Sequence, residues 1–443
     1  MSDTRTHPYR DFCISEDVVA LSERAMAASA AAFERVDRVA AACERRVLRS
    51  FQLAHVSESH FSAKTGYGYD DAGRERAEAV FAHAFGAEDA LVRLQFGSGT
   101  HVLATCLRAL LVPGDDLLIA TGRPYDTILP TLGHIVSAET GELEYDEDYA
   151  TSLARHGVKT RMVDLLPDGT VDLRSLERHL LPETKMVYVQ RSRGYTTRPA
   201  LRSRDVGAVA ETVRAAGSDA IVFVDNCYGE FVEATEPTDH GADLIAGSLI
   251  KNPGGGLAPC GGYIAGRGDL IEIVADGMTA ADVGRHVGPS LGFSRLVLEG
   301  LYLAPRAVAS ALKGAIHAAH LFRLAGFETH PDPDAIRGDL VQTIRLNAPE
   351  RLTAFCRAVQ AASPVDAFVT PVPSPMPGYD VDIIMASGSF IQGSTIELSA
   401  DGPLRPPYDV FVQGGLTFEQ ARIGAMRALE AVRALDKEAA DGR

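Results

Sequence analysis

Cysteine is sparse and unpaired in this 443-residue chain. Cys13, Cys43, Cys106, Cys227, Cys260 and Cys356 lie far apart and form no CxxC pair. That spacing suggests neither a zinc site nor a disulfide framework. Reduced thiols in a cytoplasmic protein are the expectation. Basic residues are also short: 43 against 59 acidic ones, a formal net charge of −16. Such a balance argues against nucleic acid as the main partner, though it leaves room for a local basic pocket. No run of about 18 apolar residues occurs, so no membrane-spanning helix is expected. The N-terminal stretch MSDTRTHPYRDFCISEDVV is polar, without the apolar core of a signal peptide. The 13 histidines show no HExxH spacing, and no metal is assigned.

What is present suits a soluble globular protein: 46% hydrophobic and 23% charged residues, with length for two domains and a large core. Residues 16–50 carry apolar side chains at helical spacing, with Ser15 as the expected N-cap and Asp17 in the first turn. From about residue 88, short apolar runs alternate with helical stretches at 100–111, 172–181 and 205–216. The runs are Ala90–Phe96, Asp116–Ala120, Arg161–Leu165, Met186–Gln190, Ile221–Val224, Leu244–Leu249 and Tyr263–Ala265. This pattern predicts an α/β fold around a mostly parallel sheet. After a long helix (296–324), the texture changes to α+β. There LVQTIRLN, DIIMASGSFI, TIELSA and DVFVQGG alternate with helices 350–362 and 418–435. The expected organisation is an N-terminal helical arm (1–55), a large α/β domain (56–295) and a small α+β domain (296–443).

The most informative stretch is Val222–Tyr263. It reads as a buried strand ending in Asp225, an irregular connection, a second strand, then Lys251 in the glycine-rich SLIKNPGGG. Taken alone, Lys251 is more often a solvated loop lysine, and Asp225 a turn or capping aspartate. Together, at neighbouring strand ends, they suit the two ends of one flat cofactor. Pyridoxal phosphate needs an amine for its aldehyde and a carboxylate for its ring nitrogen. The amine must be held near neutral to act as a nucleophile. Tyr228 and Phe231 complete a DxxYxxF motif; in many pyridoxal phosphate enzymes the tyrosine of such a motif donates a hydrogen bond to the ring's 3-oxygen.

Ser98, Gly99 and Thr100 follow LVRLQF and open a helix, a backbone arrangement that binds anions as well as merely capping a helix. With Ser248 they are the candidate phosphate site. Tyr125, in TGRPYDT just past a strand, is placed to stack on a ring or to sit in an exposed turn. TGYGYDDAGR presents Tyr67, Tyr69 and Arg74 for phosphate or substrate contacts, across a subunit boundary in one reading and as a packed turn in the other. Arg191 and Arg193 in QRSRGYTTRP, and Arg405 in ELSADGPLRPPY, are candidates for a substrate carboxylate, which favours the arginine fork. Surface ion pairing is the competing role for each.

Together these motifs resemble the methionine γ-lyase family, also known as aluminium resistance proteins, a branch of the fold type I pyridoxal phosphate enzymes. The resemblance covers nearly the whole chain. It rests on TGYGYDDAGR, SGTH, RPYDT, QRSRGY, VDNCYGEF, ADLIAGSLIKNPGGG, MPGYDVDIIMASGSF and IQGSTIELSADGPLRPPY. It implies a transferase-like large domain, a smaller C-terminal domain, and a homodimer or homotetramer with shared active sites. It also implies Lys251 as the Schiff-base lysine, Asp225 as the pyridinium partner, Tyr125 as the stacking ring, and Ser98, Gly99, Thr100 and Ser248 around the phosphate. Cys260, where the family often has threonine, and Ala281–Arg295 depart from the pattern.

The expected chemistry is γ-elimination of a thiol or halide from an amino acid. The substrate is methionine-like or a γ-halo amino acid, and an unsaturated one would yield an alkyne product. Enzyme rivals are a β-lyase, an aminotransferase and a threonine-aldolase-like enzyme. The rival of another class is a non-catalytic regulatory or metal-tolerance protein on the same fold.

Overall fold

The structure, a computed structural model, describes residues 7–136, 143–376 and 381–441. The MPGYD portion of the MPGYDVDIIMASGSF motif lies largely outside the described residues, as does the start of the N-terminal stretch. The chain forms two compact units, Ala41–Pro305 and Met1–Ala40 with Arg306–Arg443. The divisions fall inside two long helices, α1 (Glu16–Leu53) and α8 (Ser294–Leu324). In α1 the residues Val18, Ala25, Ala32, Val36, Ala40, Cys43 and Val47 are all buried, one stripe at helical spacing. The Ser15 hydroxyl accepts from the Val18 N–H at 3.4 Å, the expected cap.

The larger unit is built on a seven-stranded sheet. Its strands are β1 (Asp89–Arg93), β2 (Asp116–Ile119), β5 (Lys159–Met162), β6 (Thr184–Gln190), β7 (Ile221–Asp225), β8 (Leu244–Ser248) and β9 (Gly262–Gly266). A separate two-stranded antiparallel sheet pairs β3 (His134–Val136) with β4 (Leu143–Tyr145). The order across the sheet is β1-β9-β8-β7-β6-β2-β5. Only β9 runs against its neighbours; the β8-β7-β6-β2-β5 pairs are parallel. All seven apolar runs of the sequence are therefore strands of one sheet. Every residue of β2, β7, β8 and β9 is buried, as strands covered on both faces must be. Each fully buried aliphatic side chain there contributes about 1.5–3 kcal/mol relative to exposure.

The helices of this unit are α2 (Ala72–Phe85), α3 (Gly99–Leu110), the single turn α4 (Leu129–Leu132), α5 (Leu173–His179), α6 (Ser203–Ala215) and α7 (Gly268–Met278). Leu103, Cys106 and Leu107 of α3 join Ile271 and Val274 of α7 and the strand residues Tyr188, Phe223 and Ile264 in one core.

The smaller unit carries a five-stranded antiparallel sheet in the order β10-β11-β14-β13-β12. The strands are β10 (Glu328–His330), β11 (Gln342–Arg345), β12 (Ile383–Ser387), β13 (Ser399–Pro403) and β14 (Asp409–Gln413). Helices α9 (Pro349–Gln360) and α10 (Phe418–Asp441) pack with it through Leu352, Phe355, Met426 and Leu429. TIELSA contributes only its last two residues to a strand. Ile396 and Leu398 are buried but outside the ladder, so the apolar run marks burial rather than pairing. Strand β10 has no sequence signal, because Glu-Thr-His is too short and polar to show a period.

Candidate active site

The carboxyl ends of β6, β7 and β8 lie side by side and deliver Gln190, Asp225 and Ser248. Open α/β sheets bind ligands at this edge. Three residues past Ser248 the chain reaches Lys251, at a sharp turn that glycine makes possible. A Cβ on Gly254 would lie 1.8 Å from the Leu249 carbonyl oxygen, so no other residue fits there.

Lys251 is half-buried, and its Nζ lies 4.3 Å from the centre of the Tyr228 ring. Burial disfavours its charge, but the fields of Cys227, Tyr228, Asp225 and Tyr125 outweigh this and raise its pKa. The near-neutral amine expected from the sequence is thus not what the protein side chains alone set. Asp225 is buried, and its Oδ1 accepts the Cys227 N–H at 3.1 Å. Burial holds its pKa above the ordinary carboxylate value, against the pull of Lys251 and the Cys227 N–H. The Tyr188 hydroxyl is within reach of this carboxylate and favours its ionised form, although it falls short of full hydrogen-bonding geometry.

Tyr228 takes a left-handed backbone (φ 70), as does Phe231 (φ 59). Such a loop persists only if its surroundings hold it. Glu236 does so from below: it accepts the Phe231 N–H at 2.9 Å and the Asn226 amide at 3.1 Å. Arg191 does so from the side, donating to Asn226 Oδ1 at 2.7 Å, Glu233 at 2.7 Å, Ser203 Oγ at 3.0 Å and the Leu201 carbonyl at 3.2 Å. Its guanidinium passes where Gly229 has no side chain; a Cβ there would lie 2.5 Å from it. Arg191 is therefore engaged throughout by internal partners. This corrects the expectation that it takes a substrate carboxylate.

At the start of α3, Ser98 Oγ accepts the His101 N–H at 3.1 Å, so it caps the helix. Thr100 Oγ1 lies 2.7 Å from Thr127 Oγ1, and Ser248 Oγ accepts the Ile250 N–H at 3.3 Å. The fold brings these groups together: a Cβ on Gly99 would stand 3.5 Å from Ser248 Cβ and 3.7 Å from Cys227 Sγ. The missing side chain leaves a cradle at the helix N-terminus, where backbone N–H groups favour a phosphate.

Tyr125 is 38% exposed, and its backbone N–H is held at 2.5 Å by Gln190 Oε1. Gln190 also donates to the Ser192 carbonyl at 3.0 Å. Sequence reasoning passed over Gln190, although it ends an apolar run just as Asp225 does. Arg193 is buried close by in sequence, and Arg405 is exposed between β13 and β14 of the smaller unit. Tyr67 and Tyr69 form a ring pair 5.6 Å apart on the surface. Arg74 is not free for phosphate: it is buried and donates to the carbonyls of Gly68 at 2.9 Å and Gly288 at 3.0 Å. The atypical Ala281–Arg295 stretch thus props the Tyr67–Tyr69 loop. Among the described residues, no group of three or more His, Cys, Asp or Glu is placed to hold a metal, and no helix is long and apolar enough to cross a membrane.

Amine, carboxylate, aromatic face and phosphate cradle at one sheet edge match the donor set of pyridoxal phosphate. The bare Gly99 backbone at the start of α3, beside Ser248, fits that group's phosphate, and the buried Asp225 fits its ring nitrogen. The architecture is that of the fold type I pyridoxal phosphate-dependent enzymes. Residues 18–433 match the methionine gamma-lyase family, and the chain belongs to it. It is an enzyme of a pyridoxal phosphate-dependent carbon–sulfur lyase family.

An uncharacterized Bacillus subtilis protein, YnbB, is 45% identical over 399 residues, covering 90% of this chain and 92% of its own. A Clostridium novyi structure described as a carbon-sulfur lyase involved in aluminum resistance is 42% identical. It has a TM-score of 0.90 and covers 97% of this chain and 99% of its own. A Listeria innocua structure, provisionally described as a cystathionine beta-lyase involved in aluminum resistance, is 44% identical. Its TM-score is 0.89, with 93% of this chain and 98% of its own covered.

Proposed function

We propose that the chain catalyses γ-elimination of a thiol or halide from an amino acid, after which water hydrolyses the resulting enamine to ammonia and a 2-oxo acid. The substrate is methionine-like or a γ-halo amino acid; an unsaturated γ-halo substrate would instead give an alkyne amino acid. The observation that carries this reading is Lys251 set 4.3 Å over the Tyr228 face beside the buried Asp225.

Lys251 would hold the cofactor's aldehyde, and Asp225 its ring nitrogen. Tyr228 would hold its 3-oxygen, Tyr125 its ring face, and Ser98, Gly99, Thr100 and Ser248 its phosphate. Pyridoxal phosphate, when bound, supplies a sink for the electron pair left at the substrate α-carbon. Once the substrate's own amine has replaced it on the cofactor's aldehyde, the freed Lys251 amine would take the α-proton. Loss of a second proton from the β-carbon then expels the leaving group from the γ-carbon. Arg193 and Arg405 would be the candidate ligands for the substrate carboxylate. Tyr67 and Tyr69 would complete a neighbouring subunit's site in a homodimer or homotetramer.

The name of the Listeria innocua relative favours β-elimination as the second reading. Product analysis with methionine, a γ-halo amino acid and cystathionine separates the two. γ-Elimination from methionine gives 2-oxobutanoate and a thiol, whereas β-elimination from cystathionine gives pyruvate. Transamination would demand a second oxo acid. Lys251→Ala should abolish both the visible absorbance of the bound cofactor and turnover. A variant that keeps both overturns the assignment.

A further inference from the structure

We infer that Tyr188 is a positioning residue for Asp225, its buried hydroxyl serving as the carboxylate's second hydrogen-bond donor once the cofactor is bound. The inference rests on the reading of Asp225 as the ring-nitrogen partner.

Tyr188 lies in β6, in register with Phe223 of β7, and the two rings meet edge-on at 5.7 Å. Phe223 precedes Asp225 by two residues and so shares its face of the sheet. Tyr188 is wholly buried, and its ring belongs to the apolar core of Phe223, Leu103 and Ala246. A tyrosine hydroxyl in such a place ordinarily finds a partner; this one meets no acceptor in full hydrogen-bonding geometry, and the Asp225 carboxylate is the acceptor within its reach. Three titratable groups act on it: Asp225, Cys227 and Cys106. Burial pushes both thiols far up, so they are neutral and weak acceptors. Asp225 is the strong acceptor among the three. Its Oδ1 has taken one N–H, from Cys227, and an ionised carboxylate accepts several donors.

The consequence is chemical. A buried Asp225 that picks up a proton no longer keeps the ring nitrogen protonated. Donors to the carboxylate favour its anionic form; the Cys227 N–H is one, and the Tyr188 O–H is a stronger further donor than the Cys227 S–H that also reaches this carboxylate. A tyrosine that only filled the core would lose little on becoming phenylalanine.

The test is Tyr188→Phe, purified and loaded with pyridoxal phosphate beside the wild type. Two readouts apply: the cofactor dissociation constant, and the pH at which the bound cofactor's visible absorbance is lost on acidification. Loss of one charge-assisted hydrogen bond should weaken cofactor binding about tenfold, and the acid midpoint should move to higher pH. Equal dissociation constants and midpoints overturn the inference. A second comparison places Tyr188→Phe in an Asp225→Asn background. A residue acting through Asp225 has no further effect there, whereas a core-filling residue imposes the same loss in both backgrounds. A wild type that binds no pyridoxal phosphate overturns the proposed function instead, and the inference with it.

Discussion

Glu230 is wholly buried in the loop that carries Tyr228. Its Oε1 accepts the Tyr263 hydroxyl at 3.0 Å, while its Oε2 has no partner. Burial, reinforced by the charge on Glu236, pushes its pKa up to about 8, against the pull of its backbone N–H, Tyr263 and Lys251. The acid is therefore mostly neutral at pH 7. Its ordinary value is 4.5, so between that pH and about 8 the folded chain holds a proton that the unfolded chain has released. Stability consequently falls as pH rises through that window. Glu230→Gln removes the linkage. Relative to wild type, it should gain roughly 3–5 kcal/mol between pH 4.5 and 8, read from urea midpoints at several pH values. Parallel pH profiles would show that the carboxyl is ionised after all. Lys251 and Asp225 were legible in the sequence because each closes an apolar run with a group of known chemistry. Glu230 and Tyr188 were not, because their environments are made by three different strands and a loop.

The loop Asp225–Phe231 is the element on which the site turns. Its two left-handed residues are not glycines, so local propensity opposes its shape. The opposition is met by the Arg191–Asn226–Glu236 network beneath it. Arg191→Ala would leave Glu233 and Glu236 without their cation, although Arg202 still reaches Glu233 at 2.9 Å. Removing one partner of a buried ion pair costs about 3–5 kcal/mol, and the loop should loosen with it. Arg191→Lys should not restore the loss, since one ammonium cannot reach four acceptors set around a fork. Denaturant unfolding of both variants checks this; a cost below about 1 kcal/mol would place the loop's support elsewhere. The seven sheet strands could be read from apolar runs because each is buried on both faces. The network could not, because QRSRGY gives an exposed substrate arginine and an internal clamp the same letters. Only the approach of Gly229 separates them. Likewise the hydroxyl cluster around Gly99 joins α3, β8 and the turn at Thr127, which sequence distance conceals.

At the scale of the molecule, Tyr67 and Tyr69 remain unexplained by anything inside one chain. They are 71% and 58% exposed, yet the loop that bears them is tightly fixed. Arg74 clamps the Gly68 carbonyl, and the Gly288 N–H holds the Tyr67 carbonyl at 3.0 Å. A Cβ on Gly68 would meet Pro289 at 2.7 Å. A rigid aromatic pair turned to solvent buries no surface of its own, whereas against a second copy it would bury two rings at little entropic cost. If each site takes Lys251 from one subunit and Tyr67 from its neighbour, two defective variants should complement. Lys251→Ala and Tyr67→Ala homo-oligomers would each be impaired. Random dimers from co-expression would assemble intact sites at about a quarter of positions, because half the dimers are mixed and each mixed dimer holds one complete site. Turnover above the average of the two parent variants would establish the sharing. Turnover at that average, in material shown by differential tags to contain mixed dimers, would confine the catalytic site to one chain and leave the tyrosine pair to assembly alone.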